Sequence, residues 1–128
     1  MRGWKGSRMP VLRVLVSDVD EAIAPLLTAG FTLTDRWGPP FAILSAGDAH
    51  LWVSGPPTSA AKLTEQLPGD QARLAQVRPV QQVDDVDAAI PEHLADGWSV
   101  AAGPVSGLGG TQVLLQRGSA FLEVFAGR

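Results

Sequence analysis

Apolar positions recur in two rhythms along this chain, and the same succession of rhythms occurs twice. Alternation with a period of two marks "VLRVLVS" at 11–17 and "VRPVQQV" at 77–83 as strands. Each is followed by an acidic "DVD" turn and a stretch with helical spacing that runs to Gly30 or Gly97. Asp18 and Asp85 are placed as helix N-caps, with acidic residues in the first turn suiting the helix dipole. Pro25 and Pro91 are expected early in these helices, tolerated there or shortening the first turn. Three further strands are predicted after each helix. They are "FTLTDRW", "FAILSA" and "AHLWVSG" in the first half, and "WSVAAGPV", "TQVLLQR" and "AFLEVFA" in the second. "AGDA" and "RGSA" read as tight hairpin turns.

The two halves are copies of one βαβββ module. At a constant offset of 67 the pairs Val16/Val83, Asp18/Asp85, Val19/Val86, Asp20/Asp87, Ala22/Ala89, Ile23/Ile90, Leu27/Leu94 and Gly30/Gly97 are identical, and Phe31 matches Trp98 in kind. The expected organisation is a disordered leader at 1–9 (with Met9 as an internal start), a first module at 10–55, a connector at 56–76 and a second module at 77–128. The connector opens on a proline break and is expected to hold one helical turn around Ala60–Gln66.

The last strand carries the most informative chemistry. In "AFLEVFA", alternation puts Phe121, Glu123 and Phe125 on one face and Leu122 and Val124 on the other, so Glu123 is a carboxylate set among apolar residues. Such a group needs a partner: a metal, a ligand or a basic side chain.

The repeat and its "V-x-D-V-D-x-A-I" junctions resemble the vicinal oxygen chelate superfamily, which includes glyoxalases, bleomycin-resistance proteins and extradiol dioxygenases. The resemblance covers Val11 to Arg128. It implies an α+β fold: two tandem βαβββ modules forming a cup-shaped, curled mixed sheet, helices on the convex side and ligand in the concavity. It also implies a homodimer. Family metal ligands stand on the first and fourth strands, and those positions fall here on Val11, Trp52, Arg78 and Glu123. Only Glu123 could ligate, so no metal and no cofactor are expected. Instead Arg78 and Glu123 are expected to form an ion pair across neighbouring strands, a planar donor fork meeting two oxygens. Val11 and Trp52 are expected to form an apolar contact.

Each candidate has a structural and a functional reading. The Arg78–Glu123 pair fixes packing or meets a polar ligand. Trp52 is a stacking surface or core filling, flanked by Phe121 and Phe125, with Phe41 and Trp37 at the rim. His50 shares the face of Trp52, whereas His93 is expected on the outer side of the second helix and Trp98 in the core. Arg13 and Gln82 face the concavity by alternation; Arg13 is expected to reach a dimer seam and solvent, or else an anionic group. "GLGG" at 107–110 lacks the lysine and helix of a phosphate loop and reads as a hairpin rim able to close over a ligand.

Composition narrows the classes. The chain has 128 residues, 45 % of them hydrophobic and 18 % charged, ordinary for a soluble globular protein. Its net charge of -3 gives no basic footprint for nucleic acid. No apolar run approaches the roughly 20 residues of a membrane span. The absence of cysteine excludes disulfides and thiolate chemistry and fits a cytoplasmic location. The leading expectation is a metal-independent protein that binds a small organic molecule, such as an antibiotic or natural product. The site residues are Trp52, His50, Arg78, Glu123, Phe121, Val11, Arg13, Gln82 and Phe41. Two alternatives remain: a metal-independent isomerase, lyase or cyclase with Glu123 as general base and Arg78 on the oxyanion, and a metal-dependent enzyme of the glyoxalase or dioxygenase kind.

Overall fold

The computed structural model describes residues 10–128, so the expectations for the leader lie outside the described residues. The first module contributes β1 (Val11–Leu15), α1 (Val19–Thr28), β2 (Thr32–Arg36), β3 (Phe41–Ala46) and β4 (Ala49–Ser54). The connector forms α2 (Ser59–Glu65) and α3 (Gly69–Leu74). The second module contributes β5 (Val77–Gln82), α4 (Val86–Ala95), β6 (Ser99–Ser106), β7 (Gly110–Arg117) and β8 (Ala120–Gly127).

All eight strands join one sheet in the order β2-β3-β4-β1-β5-β8-β7-β6. Within each module the first strand runs parallel to the fourth, β1 beside β4 and β5 beside β8. The modules meet edge to edge along an antiparallel β1–β5 ladder that sets Val11 opposite Val80 and Arg13 opposite Arg78. The sheet is unclosed, with β2 and β6 at its edges.

The duplicated junctions do the same work twice. Asp18 accepts from the Glu21 amide, and Asp85 from the amides of Asp87 and Ala88. Gly30 and Gly97 follow the helices with φ of 111° and 92°, a conformation costly for other residues. The prolines depart from expectation, because Pro25 and Pro91 sit in the middle of α1 and α4. The carbonyls that lose a donor to them belong to Glu21 and Asp87, both solvent-exposed, so water can replace the missing bond.

Both long helices cover the convex face. Val19 and Ile23 of α1 pack on Ala42, Leu44 and Val53, while Val86 and Ala89 of α4 pack on Val113, Leu115 and Val124. Trp98 joins the second of these clusters, as expected.

The connector differs from its predicted form. It is two helices, not one turn, and α2 lies on the concave face of the second module. There Leu63 is fully buried with Ala75, Ala102, Leu114 and Phe121. Gly103 of β6 leaves room for it, since a Cβ there would stand 2.8 Å from Leu63 Cδ1. The Gly103 amide also donates to Gln66 Oε1 at 3.0 Å. One half of the cup is therefore filled by the connector, while Trp37, Phe41 and Trp52 on the other half keep partial exposure.

Candidate functional site

Glu123 sits at the join of the two halves with no solvent exposure. Its Oε1 accepts from Arg13 Nε at 3.1 Å and Arg78 Nε at 3.0 Å. Its Oε2 accepts from Arg13 Nη2 at 2.6 Å and Gln112 Nε2 at 2.9 Å. Arg13 Nη1 donates to Ser54 Oγ at 3.0 Å, and Arg78 Nη1 donates to Thr64 Oγ1 at 2.7 Å and to the Ala75 carbonyl at 2.9 Å. Arg13, Arg78, Ser54, Thr64 and Gln112 are all buried. Two guanidiniums thus share one carboxylate out of contact with water.

The strand register explains the arrangement and corrects part of the prediction. Direct ladder neighbours are Val80 and Glu123, so Arg78, two residues earlier on β5, reaches the carboxylate diagonally. The Arg78–Glu123 ion pair is present, at 3.0 Å. Arg13 does not run to a seam or to solvent: it is 4 % exposed and is the bidentate partner of Glu123. Because Arg13 faces Arg78 across the β1–β5 ladder, like charges would oppose one another without Glu123 between them.

The electrostatics follow. Burial by itself would raise the Glu123 pKa, but the charges of Arg13 and Arg78 and the hydrogen bonds of Arg13 and Gln112 hold it down at about 2. Arg78 is lowered from its usual value, chiefly by burial and also by the like charge of Arg13, with Glu123 opposing both. With four donors on its two oxygens and so low a pKa, Glu123 is saturated and a weak base in this arrangement.

Beside this polar cluster lies an aromatic row. Trp37 meets Phe41 edge-on with centroids 6.5 Å apart, Phe41 meets Trp52 at 6.4 Å, and Trp52 meets Phe125 at 5.2 Å. The last contact spans from β4 to β8 and draws the two halves together, while the Arg13 guanidinium lies 5.1 Å from the Trp52 ring centre. Trp37 is 61 % exposed, and Phe41, Trp52 and Phe125 are half-buried. Val11 registers with His50 and Trp52 with Arg13, so Val11 and Trp52 are diagonal neighbours, as Arg78 and Glu123 are in the second module.

His50 is half-buried beside buried Val11, and Gln82 registers with Phe125. Phe121 does not line the open face, since it packs beneath Leu63 of the connector. His93 is half-buried on α4 and bonds through Nδ1 to the Ala89 carbonyl of its own helix. The 107–110 loop joins β6 to β7 with Leu108 98 % exposed.

Ser54, Thr64 and Gln112 were not foreseen as part of the site. Alternation along "AHLWVSG" and "TQVLLQR" carries a signal for two of them, placing Ser54 with Trp52 and Gln112 with Leu114. Thr64 carries no such signal, because its role depends on where the connector folds. Among the described residues no three His, Cys, Asp or Glu side chains gather as metal ligands. The donor set around Glu123 is cationic and repels a metal ion, so the residues do not fit one.

Compared with family profiles and with curated proteins, the chain finds no match. Solved structures do match. The NAD-dependent benzaldehyde dehydrogenase of Legionella pneumophila aligns with a TM-score of 0.66 at 14 % identity, over 93 % of this chain and 99 % of that one. Methylmalonyl-CoA epimerase of Streptomyces coelicolor, in complex with 2-nitronate-propionyl-CoA, aligns with 0.60 at 18 % identity and 94 % of each chain. A glyoxalase/bleomycin resistance protein/dioxygenase superfamily member from Vibrio splendidus 12B01 aligns with 0.53 at 15 % identity, over 91 % and 97 %. The chain has the vicinal oxygen chelate fold. No helix among the described residues is long and apolar enough to cross a membrane.

Proposed function

We propose that this chain is a metal-independent binder of a small aromatic or amphipathic molecule, held on the open half of its cup. The observation that carries this reading is the row Trp37–Phe41–Trp52–Phe125, partly exposed on a concave sheet face whose other half the connector already fills. Aromatic faces left half in water offer a planar ligand a stacking surface at little cost in side-chain entropy. His50, beside the row, supplies a polar group at its edge. The chemistry suits sequestration of an antibiotic or natural product. Pairing of two copies as a homodimer, each covering an open half-cup, belongs to the same proposal.

The enzymatic alternative draws little from the geometry. A general base needs a free lone pair and a pKa near the working pH. Glu123 has its oxygens saturated and its pKa near 2.

The test is a thermal-shift screen of planar aromatic natural products and antibiotics, bleomycin included, with hits titrated by tryptophan fluorescence. Native mass spectrometry of the freshly purified protein would report its stoichiometry and any co-purified molecule. The chain has four tryptophans, so Trp52→Phe isolates the signal of Trp52. Saturable binding that weakens in Trp52→Ala is expected. Hits that bind Trp52→Ala as tightly as the parent would move the site elsewhere and overturn the reading.

A further inference from the structure

Two donor forks compete for one carboxylate, and one fork loses a tine. Arg13 takes both oxygens of Glu123, through Nε and Nη2. Arg78 is left with Nε on Oε1, while its Nη1 turns to Thr64 and Ala75 of the connector. Its Nη2 is sealed from solvent and has no acceptor among the described residues. Arg78 is itself 1 % exposed. Around it the charges do not balance: among the described residues Arg13 and Arg78 face Glu123 alone. A buried cation in excess, with a donor unspent, is what an incoming anion would satisfy.

Resting on the binding reading above, we infer that the ligand carries an acidic group, a carboxylate or sulfonate, which takes Arg78 Nη2 while its aromatic body lies on Trp52 and Phe125. The two subsites are linked through Arg13, whose guanidinium lies 5.1 Å from the Trp52 ring centre and shares Oε1 of Glu123 with Arg78. Helix α3 buries none of its own residues, but Ala75 at its end is fully buried and presents its carbonyl to Arg78. The acid gives a charged acceptor to the one tine that the connector's neutral acceptors leave unmet.

The experiment uses the full chain and two probes of one skeleton, anilinonaphthalene sulfonate and its neutral counterpart N-phenylnaphthylamine, titrated by fluorescence. The sulfonate is expected to bind about tenfold or more tightly, the ratio a charge-assisted hydrogen bond supplies. Arg78→Met should abolish that preference while leaving the neutral probe unaffected. Should Arg78→Met fold poorly, Thr64→Asp serves independently, because it places a carboxylate where Thr64 Oγ1 now meets Arg78 and pre-empts the acid. Equal affinity for both probes in the parent would mean that solvent meets Nη2; the acid inference falls while aromatic binding stands. A sulfonate preference that survives both variants would locate the anion elsewhere and also overturn it. Binding of neither probe would remove the ligand reading and the inference together.

Discussion

Arg13 and Glu123 lie 110 positions apart in the chain and are joined by two hydrogen bonds, of 3.1 and 2.6 Å, across the line where the two modules meet. Arg78 adds a third basic contact from the neighbouring strand. Removing different members of this cluster has unequal consequences. Glu123→Gln leaves two buried guanidiniums without a counter-charge and should cost about 3–5 kcal/mol. Arg13→Met leaves Glu123 with Arg78 and Gln112, a balanced pair, and frees Oε2 for the idle tine of Arg78. Its cost should be smaller, about 1–3 kcal/mol. Urea denaturation of both variants decides the matter. If Arg13→Met proved the more damaging, excess positive charge would not be the governing feature of the cluster.

The same carboxylate makes stability depend on pH. Its folded pKa is depressed, to about 2 from 4.5, so the unfolded chain binds its proton more readily. The stabilisation is therefore fully present above the unfolded value and lost as pH falls through the folded one. That window runs from about pH 5 down to about pH 2, and the amount is on the order of 3 kcal/mol. Chemical denaturation at stepped pH should show the decline. Glu123→Gln should flatten the slope across the same window, and an unaltered slope would assign it to other carboxylates.

The fold was legible because the chain states it twice. Matching "DVD" caps and terminal glycines at an offset of 67 fixed both helices, and alternation fixed the strands to within a residue or two at their ends. The Arg78–Glu123 contact was legible from strand adjacency. Arg13 was misassigned because alternation places a side chain on a face but does not say how far a long one reaches. The Trp52–Phe125 contact and the burial of Phe121 depend on sheet curl and on the connector. Neither leaves a periodic trace. Leu63, Thr64 and Ala75 look like ordinary connector residues until the helices dock.

The helix caps should be worth similar amounts in both modules, with a tilt toward the second. Asp18 accepts one amide and Asp85 two. Asp18→Ala and Asp85→Ala should each cost about 1 kcal/mol, Asp85 somewhat more. Thermal melts of the two variants check this. Equal losses would mean that the longer Ala88 contact, at 3.4 Å, contributes nothing measurable.

The connector's hold on the second half-cup turns on one side chain and one missing side chain. Leu63 is fully buried against Ala102, Leu114 and Phe121, so Leu63→Ala should cost about 2–5 kcal/mol through lost burial and the cavity left behind. Gly103 has φ of 85° and lies against Leu63, so Gly103→Ala should destabilise through both backbone strain and collision. In the Leu63→Ala background the collision with Cδ1 disappears, while the strain and the 3.2 Å approach to the Gln112 carbonyl persist. The second substitution should therefore cost less there than in the parent, with a coupling of about 0.5–3 kcal/mol. Urea denaturation of the two single variants and the double variant completes the cycle. Strict additivity would mean that α2 already stands clear of β6 in solution and that the second half-cup is open.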